Sequence, residues 1–249
     1  MTAPETHRPV SARQAGYPPS APPPDSIAPG RSTILTLRSR RGDMRFHLGP
    51  PPTDPAFQPA PPWRPLREPR GASLVILLSL PLGLLAAFLF ALPLLLRSPD
   101  RTLTIPLSGL PSLLALLLLV PLHELLHALP LPGSLRSPQL VLGLWPRSLL
   151  AYVQYLGELG RARFLVVALS PLVAVSLLAY AGLSLLPSLA PFWLILGLLN
   201  ALGSGADLLA AALVLTQVSP GAHLRNHGWR TYWRPAEPPR ADRPPSPDS

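Results

Sequence analysis

Apolar residues in this chain are gathered into a few long uncharged blocks instead of recurring at helical or strand spacing. Four blocks, Ser73 to Leu96, Leu107 to Leu129, Phe164 to Leu186 and Phe192 to Leu215, approach or exceed the roughly 20 residues that a helix needs to cross a bilayer core. Buried helices of a soluble α domain would need longer polar faces than these blocks supply. The pattern predicts an all-α membrane protein with about four transmembrane helices.

Outside the blocks the pattern changes. Residues 1–70 are rich in Pro, Arg and small residues, with Pro22-Pro23-Pro24 and Pro50-Pro51-Pro52, a composition that does not sustain a packed core. They read as a disordered cytoplasmic leader, in which Ser32 to Gly49 alternates weakly around Arg41-Gly42-Asp43 as a solvated linker or a small hairpin. Residues 71–234 hold the membrane domain, and residues 235–249 repeat the Pro, Arg and acidic pattern as a disordered tail. Between the second and third blocks, Gln139 to Trp145 and Leu149 to Tyr155 flank Pro146-Arg147-Ser148. They form either a short β-hairpin or a re-entrant or surface loop. A hairpin's open edge would have to lie against protein or at the interface, because bare lipid does not tolerate unpaired backbone. No apolar block precedes Ser73, so a secretory signal peptide is not expected.

Charge sharpens the topology. All 21 basic residues are arginine and the net charge is +9. Heavy use of Pro, Ala, Leu and Arg points to a GC-rich bacterial genome. The arginines are scattered among prolines without interleaved aromatics, which argues against a nucleic-acid partner. Ten precede the first block, four separate the second from the third and five follow the fourth, whereas only Arg97 and Arg101 lie between the first and second. The positive-inside rule then places both termini in the cytoplasm of a bacterial inner membrane. The absence of cysteine excludes disulfides, a thiolate nucleophile and a cysteine-ligated metal.

The chemistry is concentrated near the end of the second block, in His123-Glu124-Leu125-Leu126-His127. On a helix, residues four apart share a face, so His123 and His127 can ligate one zinc ion, with Glu124 about 100° round the axis. At this composition the H-E-x-x-H pattern is expected by chance only about 0.003 times per chain. An ionisable cluster within a membrane span is costly, which makes function its default reading. A third ligand is needed, and Asp207 is the only other acid within a block. On helical spacing Asn200, Gly203, Ser204 and Asp207 share a face. His123 and Asp207 would lie about 24 Å and about 22 Å down their spans, at one depth. His223 and His227 repeat the four-residue spacing and are the rival ligands, but they follow Ser219-Pro220-Gly221 and stand among arginines.

These residues give the chain a resemblance to a zincin peptidase family of small bacterial multi-pass proteins, itself similar to the site-2 proteases. It rests on His123 to Leu129, on Ser170-Pro171 and on Asn200 through Asp207, and runs from about Ser73 to Trp233. The resemblance implies that His123, His127 and Asp207 are zinc ligands and that Glu124 is the catalytic base. Site-2 proteases carry Asp-Gly at the third ligand, whereas Asp207 is followed by Leu208. The expected activity is hydrolysis of peptide bonds in membrane or membrane-associated proteins by zinc-activated water. Asn200 is a candidate transition-state stabiliser, and the Gln139 to Tyr155 hairpin a candidate acceptor of an extended substrate. The rival is a zinc-binding scaffold or pseudoprotease without catalysis.

Overall fold

The structure, a computed structural model, describes residues 45–100, 102–105, 109–148 and 150–236. The chain begins with strands β1 (Arg45–Leu48) and β2 (Arg64–Pro65), then helices α1 (Ala72–Arg97) and α2 (Leu110–Ala128). Strands β3 (Leu140–Trp145), β4 (Leu150–Tyr155) and β5 (Leu159–Gly160) follow. Helices α3 (Arg161–Leu185), α4 (Ala190–Gly203) and α5 (Gly205–Gln217) come next, before strands β6 (His223–His227) and β7 (Arg230–Arg234). Helices α1, α2 and α3 are long and apolar enough to cross a membrane, and α4 with α5 makes a fourth if that bent pair is one span.

The fourth block is therefore not one straight helix. It bends by 41° between α4 and α5, where α1 crosses at backbone contact. A methyl group on Gly83 would overlap the Leu202 carbonyl, and one on Gly205 would overlap the Ser79 carbonyl. Small residues at both points let the two backbones meet. Ser204, fully buried at the break, donates from its hydroxyl to the Asn200 carbonyl at 2.8 Å. Gly203, the last residue of α4, is exposed, whereas Asn200 and Ser204 are buried, so the face expected to join all three is not uniformly packed.

The expected all-α architecture also gains two sheets. One has the order β1-β3-β4, with β1 parallel to β3 and β3 antiparallel to β4; the other has the antiparallel order β2-β7-β6-β5. The β3–β4 pair is the hairpin reading of the Gln139 to Tyr155 segment, turned through a 3-10 turn at Pro146–Ser148. The leader departs from expectation, since residues 45–70 supply β1 and β2. Its few apolar side chains find distant partners. Phe57 is buried edge-on against Trp63, His227 and Tyr232, and Leu66 packs with Val214, Val218 and Leu224. Of the alternating segment at Ser32 to Gly49, only the part from Arg45 is described, and it pairs with β3 instead of folding back on the leader. The leader before residue 45 and the tail from residue 237 lie outside the described residues.

Every described strand precedes α1, links α2 to α3 or follows α5. Both sheets therefore sit at the end of the bundle where α1 and α3 begin and α2 and α5 finish. That end also holds β5, which runs directly into α3 and is capped by the Arg161 N–H donating to the Ala222 carbonyl at 2.9 Å.

Candidate metal site and the strand edge beside it

His123 and His127 stand one turn apart on α2, with ring centroids 4.9 Å apart. The break before α5 brings Asp207, in the first turn of that helix, against both rings. His123 Nε2 lies 3.2 Å from Asp207 Oδ2, and His127 Nε2 lies 3.3 Å from Asp207 Oδ1. Ligand atoms about 2.05 Å from a tetrahedral zinc stand about 3.3 Å from one another, so these separations suit that ion. His123, His127 and Asp207 are the group among the described residues that could hold a metal. Side-chain exposures between 12% and 21% leave the three reachable from outside.

The outer nitrogen of each ring is anchored. Pro171 lies inside α3 and lacks the N–H that would close the helix on the Val167 carbonyl. His127 Nδ1 takes that free acceptor at 2.8 Å. Asn200 is fully buried, and its Nδ2 donates to the Pro171 carbonyl at 3.0 Å, which turns Oδ1 toward His123 Nδ1 at 3.0 Å. Because a backbone carbonyl only accepts, these contacts assign the Asn200 amide and place a proton on Nδ1 of both rings. In that tautomer both Nε2 atoms present lone pairs to a carboxylate. A neutral ring of this tautomer can ligate a cation through Nε2, and a ligating histidine ordinarily gives its other N–H to such a carbonyl. The residues present thus fit zinc.

Ser170 ties the same helices together. Its hydroxyl donates to the Leu126 carbonyl at 2.8 Å and lies 2.9 Å from the Val167 carbonyl. Pro130 cannot supply the helical donor that Leu126 would otherwise receive, so Ser170 closes the end of α2.

Glu124 lies beside the histidines and near the backbone N–H of Val153 in β4. The reason lies in the register. Leu156 N–H donates to the Gln139 carbonyl at 2.9 Å, and β4 pairs Gln154 with Val141 and Val153 with Leu142. Alternation along an antiparallel ladder then directs the backbone groups of Tyr152 and Gln154 toward β3 and those of Ala151, Val153 and Tyr155 away from it. As β4 is the outer strand of its sheet, its unpaired edge faces Glu124.

The remaining candidates from the sequence occupy defined settings of their own. Asn200, a candidate transition-state stabiliser, is fully buried, with Oδ1 toward His123 Nδ1 and one N–H of its Nδ2 donated to the Pro171 carbonyl. The rival ligands His223 and His227 lie on β6 in the other sheet, where the His227 ring packs against Phe57 and Tyr232. Val167, Ser170 and Val153 act through backbone or hydroxyl groups that the motif does not announce. Pro171, four residues after Val167, and Pro130, four residues after Leu126, are the sequence signals that a carbonyl is free.

No curated protein and no solved structure matches the chain significantly. Residues 116–223, the stretch that carries His123, Glu124, His127, Asn200 and Asp207, match the family model described as "Putative zincin peptidase".

Proposed function

We propose that the chain is a multi-pass membrane zinc metallopeptidase that hydrolyses peptide bonds of membrane or membrane-associated proteins. The observation that carries this reading is the convergence of His123 Nε2, His127 Nε2 and the Asp207 carboxylate, with both Nδ1 atoms tied to acceptors. His123, His127 and Asp207 would hold the zinc. Bound zinc supplies Lewis acidity, which makes hydroxide available near neutral pH and polarises a scissile carbonyl.

Glu124 is the base. It takes a proton from the attacking water as the water oxygen bonds to the peptide carbonyl carbon, and returns it to the amide nitrogen as the C–N bond breaks. The free edge of β4 holds the substrate as an added strand, which keeps the peptide extended and its amide exposed. An incoming carbonyl on that edge would accept from the Val153 N–H close to Glu124. Asn200, Ser170 and the Val167 carbonyl position the ligands and touch no reacting atom.

Outward-facing Leu77, Leu84, Phe88 and Leu117 on α1 and α2 support placement of the helices in a bilayer. Arg64, Arg67, Arg70, Arg161 and Arg163 at the sheet end of the bundle, against Arg97 at the other, support a cytoplasmic position for that end. In a bacterium this puts both termini on the cytoplasmic side of the inner membrane.

The test is to purify wild type, Glu124→Gln and Asp207→Ala in detergent and to measure zinc per chain beside cleavage of membrane-protein substrates. Wild type and Glu124→Gln are expected to carry about one zinc each, with cleavage by wild type alone, and Asp207→Ala to lose the metal. Zinc binding with no difference between wild-type and Glu124→Gln membrane proteomes would instead support a zinc-binding scaffold.

A further inference from the structure

Arg225, on β6, reaches across to the end of β4 in the other sheet. Its Nε donates to the Leu156 carbonyl at 2.9 Å, and a second guanidinium nitrogen donates to Asp54 Oδ2 at 2.7 Å. The same group lies over the buried Phe57 ring, 4.4 Å from its centroid. Asp54 and Phe57 belong to the leader, where the Asp54 carboxylate also accepts from the Ala56 N–H at 2.9 Å. One side chain therefore joins β6, the leader and the residue that follows β4.

The point it holds lies between the strand edge and the metal site. Leu156 N–H donates to the Gln139 carbonyl at 2.9 Å, so both backbone groups of Leu156 are engaged. On one side along the chain stands Val153, whose N–H lies near Glu124. On the other side β5 begins at Leu159 and runs into α3, the helix whose Val167 carbonyl accepts from His127. The link itself is tightly packed, since a methyl group on Gly157 would overlap Gln139 Oε1 and the Tyr155 ring. Leu156 is thus the joint between the free edge of β4 and the helix behind a metal-facing ring.

Arginine suits this post for a chemical reason. Its planar fork meets two acceptors at once and stacks on an aromatic face, whereas the ammonium of lysine is a single point charge. Side-chain exposures of 19% for both Arg225 and Asp54 keep the pair largely out of water. A substrate strand needs edge donors held at fixed positions, and a displacement of about 1 Å can cost about 100-fold in rate. We infer that Arg225 is a positioning residue: by holding Leu156, with Asp54 of the leader as its counter-charge, it sets the free edge of β4 for peptide binding. The inference rests on the peptidase reading given above.

The test compares full-length, zinc-loaded wild type, Arg225→Met, Asp54→Asn and Gln217→Leu in detergent. Methionine keeps a stem against Phe57 and removes the donors. Gln217 is the control, because its side chain also holds the leader, through the N–H and carbonyl of Arg67 instead of through β4. The readouts are zinc affinity, kcat and KM for a fluorogenic acetylated decapeptide amide that wild type cuts, and amide hydrogen exchange across residues 150–156. Arg225→Met is expected to keep zinc affinity and kcat within twofold, to raise KM at least fivefold and to speed exchange in 150–156. Asp54→Asn, which leaves the guanidinium on Leu156, is expected to raise KM by about twofold, so the outcome does not hang on one variant. A residue that only stabilises the fold would lower the active fraction, and with it the apparent kcat, while KM stayed constant. That pattern, an unchanged KM in both Arg225→Met and Asp54→Asn, or an equal rise in KM in Gln217→Leu would overturn the inference. If wild type cuts no peptide, the peptidase reading falls, and faster exchange confined to residues 150–156 in Arg225→Met then supports the grip on β4 alone.

Discussion

His127 donates to the Val167 carbonyl that Pro171 leaves free in α3. A proline that would ordinarily count as a defect in a helix thereby provides the acceptor that orients a metal-facing ring. Replacing Pro171 with alanine restores a backbone N–H that can close the helix on Val167 and compete with His127. Alanine is the better helix former, so the fold should survive. Zinc affinity is expected to fall about 10- to 100-fold, the usual effect of losing a partner behind a ligand. Competition with a chromophoric zinc chelator measures this, and an unchanged affinity would refute the role given to Val167.

Asn200 separates two roles by what its loss changes. In Asn200→Leu, the His123 Nδ1 proton and the Pro171 carbonyl both lose their partner in a fully buried setting. The expected result is a tenfold or greater loss of zinc affinity and a stability cost of about 1–3 kcal/mol. A donor to the transition state would behave differently, lowering kcat and leaving zinc binding intact. Paired zinc titration and kinetics decide between the two.

Much of the site was legible in the sequence because helix geometry fixes it. The spacing of His123 and His127 sets both rings on one face, and Asp207 stood out as the only other acid within a span. What lay behind those residues was not legible, because a carbonyl such as that of Val167 belongs to every residue type and becomes special only through its surroundings. The strands of the leader were hidden for a related reason. Phe57 and Leu66 are isolated apolar residues among prolines, and their partners at Tyr232 and Leu224 lie far along the chain. The bend at Ser204 had a visible signal in Gly203 and Gly205, but its use depends on the backbone of α1 arriving at Ser79 and Gly83. The hairpin could be read from two apolar runs about a proline turn, whereas which of its edges stays open follows from the pairing of β1 with β3.

Glu68 gives the sheet end a pH dependence of known sign. Burial raises its pKa above the ordinary carboxylate value, even though it accepts from the Thr231 N–H at 3.1 Å. Below about pH 4 the carboxyl is protonated in both folded and unfolded chains and costs nothing. As pH rises through the raised folded value, ionisation is penalised in the fold alone, so stability is lost. Glu68→Gln keeps a carbonyl oxygen for Thr231 and removes that penalty. Its thermal midpoint in detergent should match wild type at pH 4 and exceed it at pH 7. A midpoint lower than wild type at pH 7 would show that the ionised form is favoured in the fold.

The free edge of β4 makes the most discriminating prediction, because proline acts on one side of a strand at a time. Proline removes a single N–H and is tolerated where that group does not serve the ladder. The N–H of Ala151 points away from β3, whereas that of Tyr152 points toward it, opposite Gly143. Ala151→Pro should therefore keep the hairpin, the zinc and the thermal midpoint, yet cut peptide cleavage by about tenfold or more by removing a donor that a substrate strand needs. Tyr152→Pro breaks the ladder itself and should lower the midpoint as well as the activity. Glu124→Gln supplies the third comparison, with zinc and peptide binding kept and cleavage lost. Binding of an uncut peptide to each variant distinguishes the causes: Ala151→Pro should weaken it and Glu124→Gln should not. Normal cleavage by Ala151→Pro would mean that substrate does not lie along β4, and the position of Glu124 beside Val153 would then need another explanation.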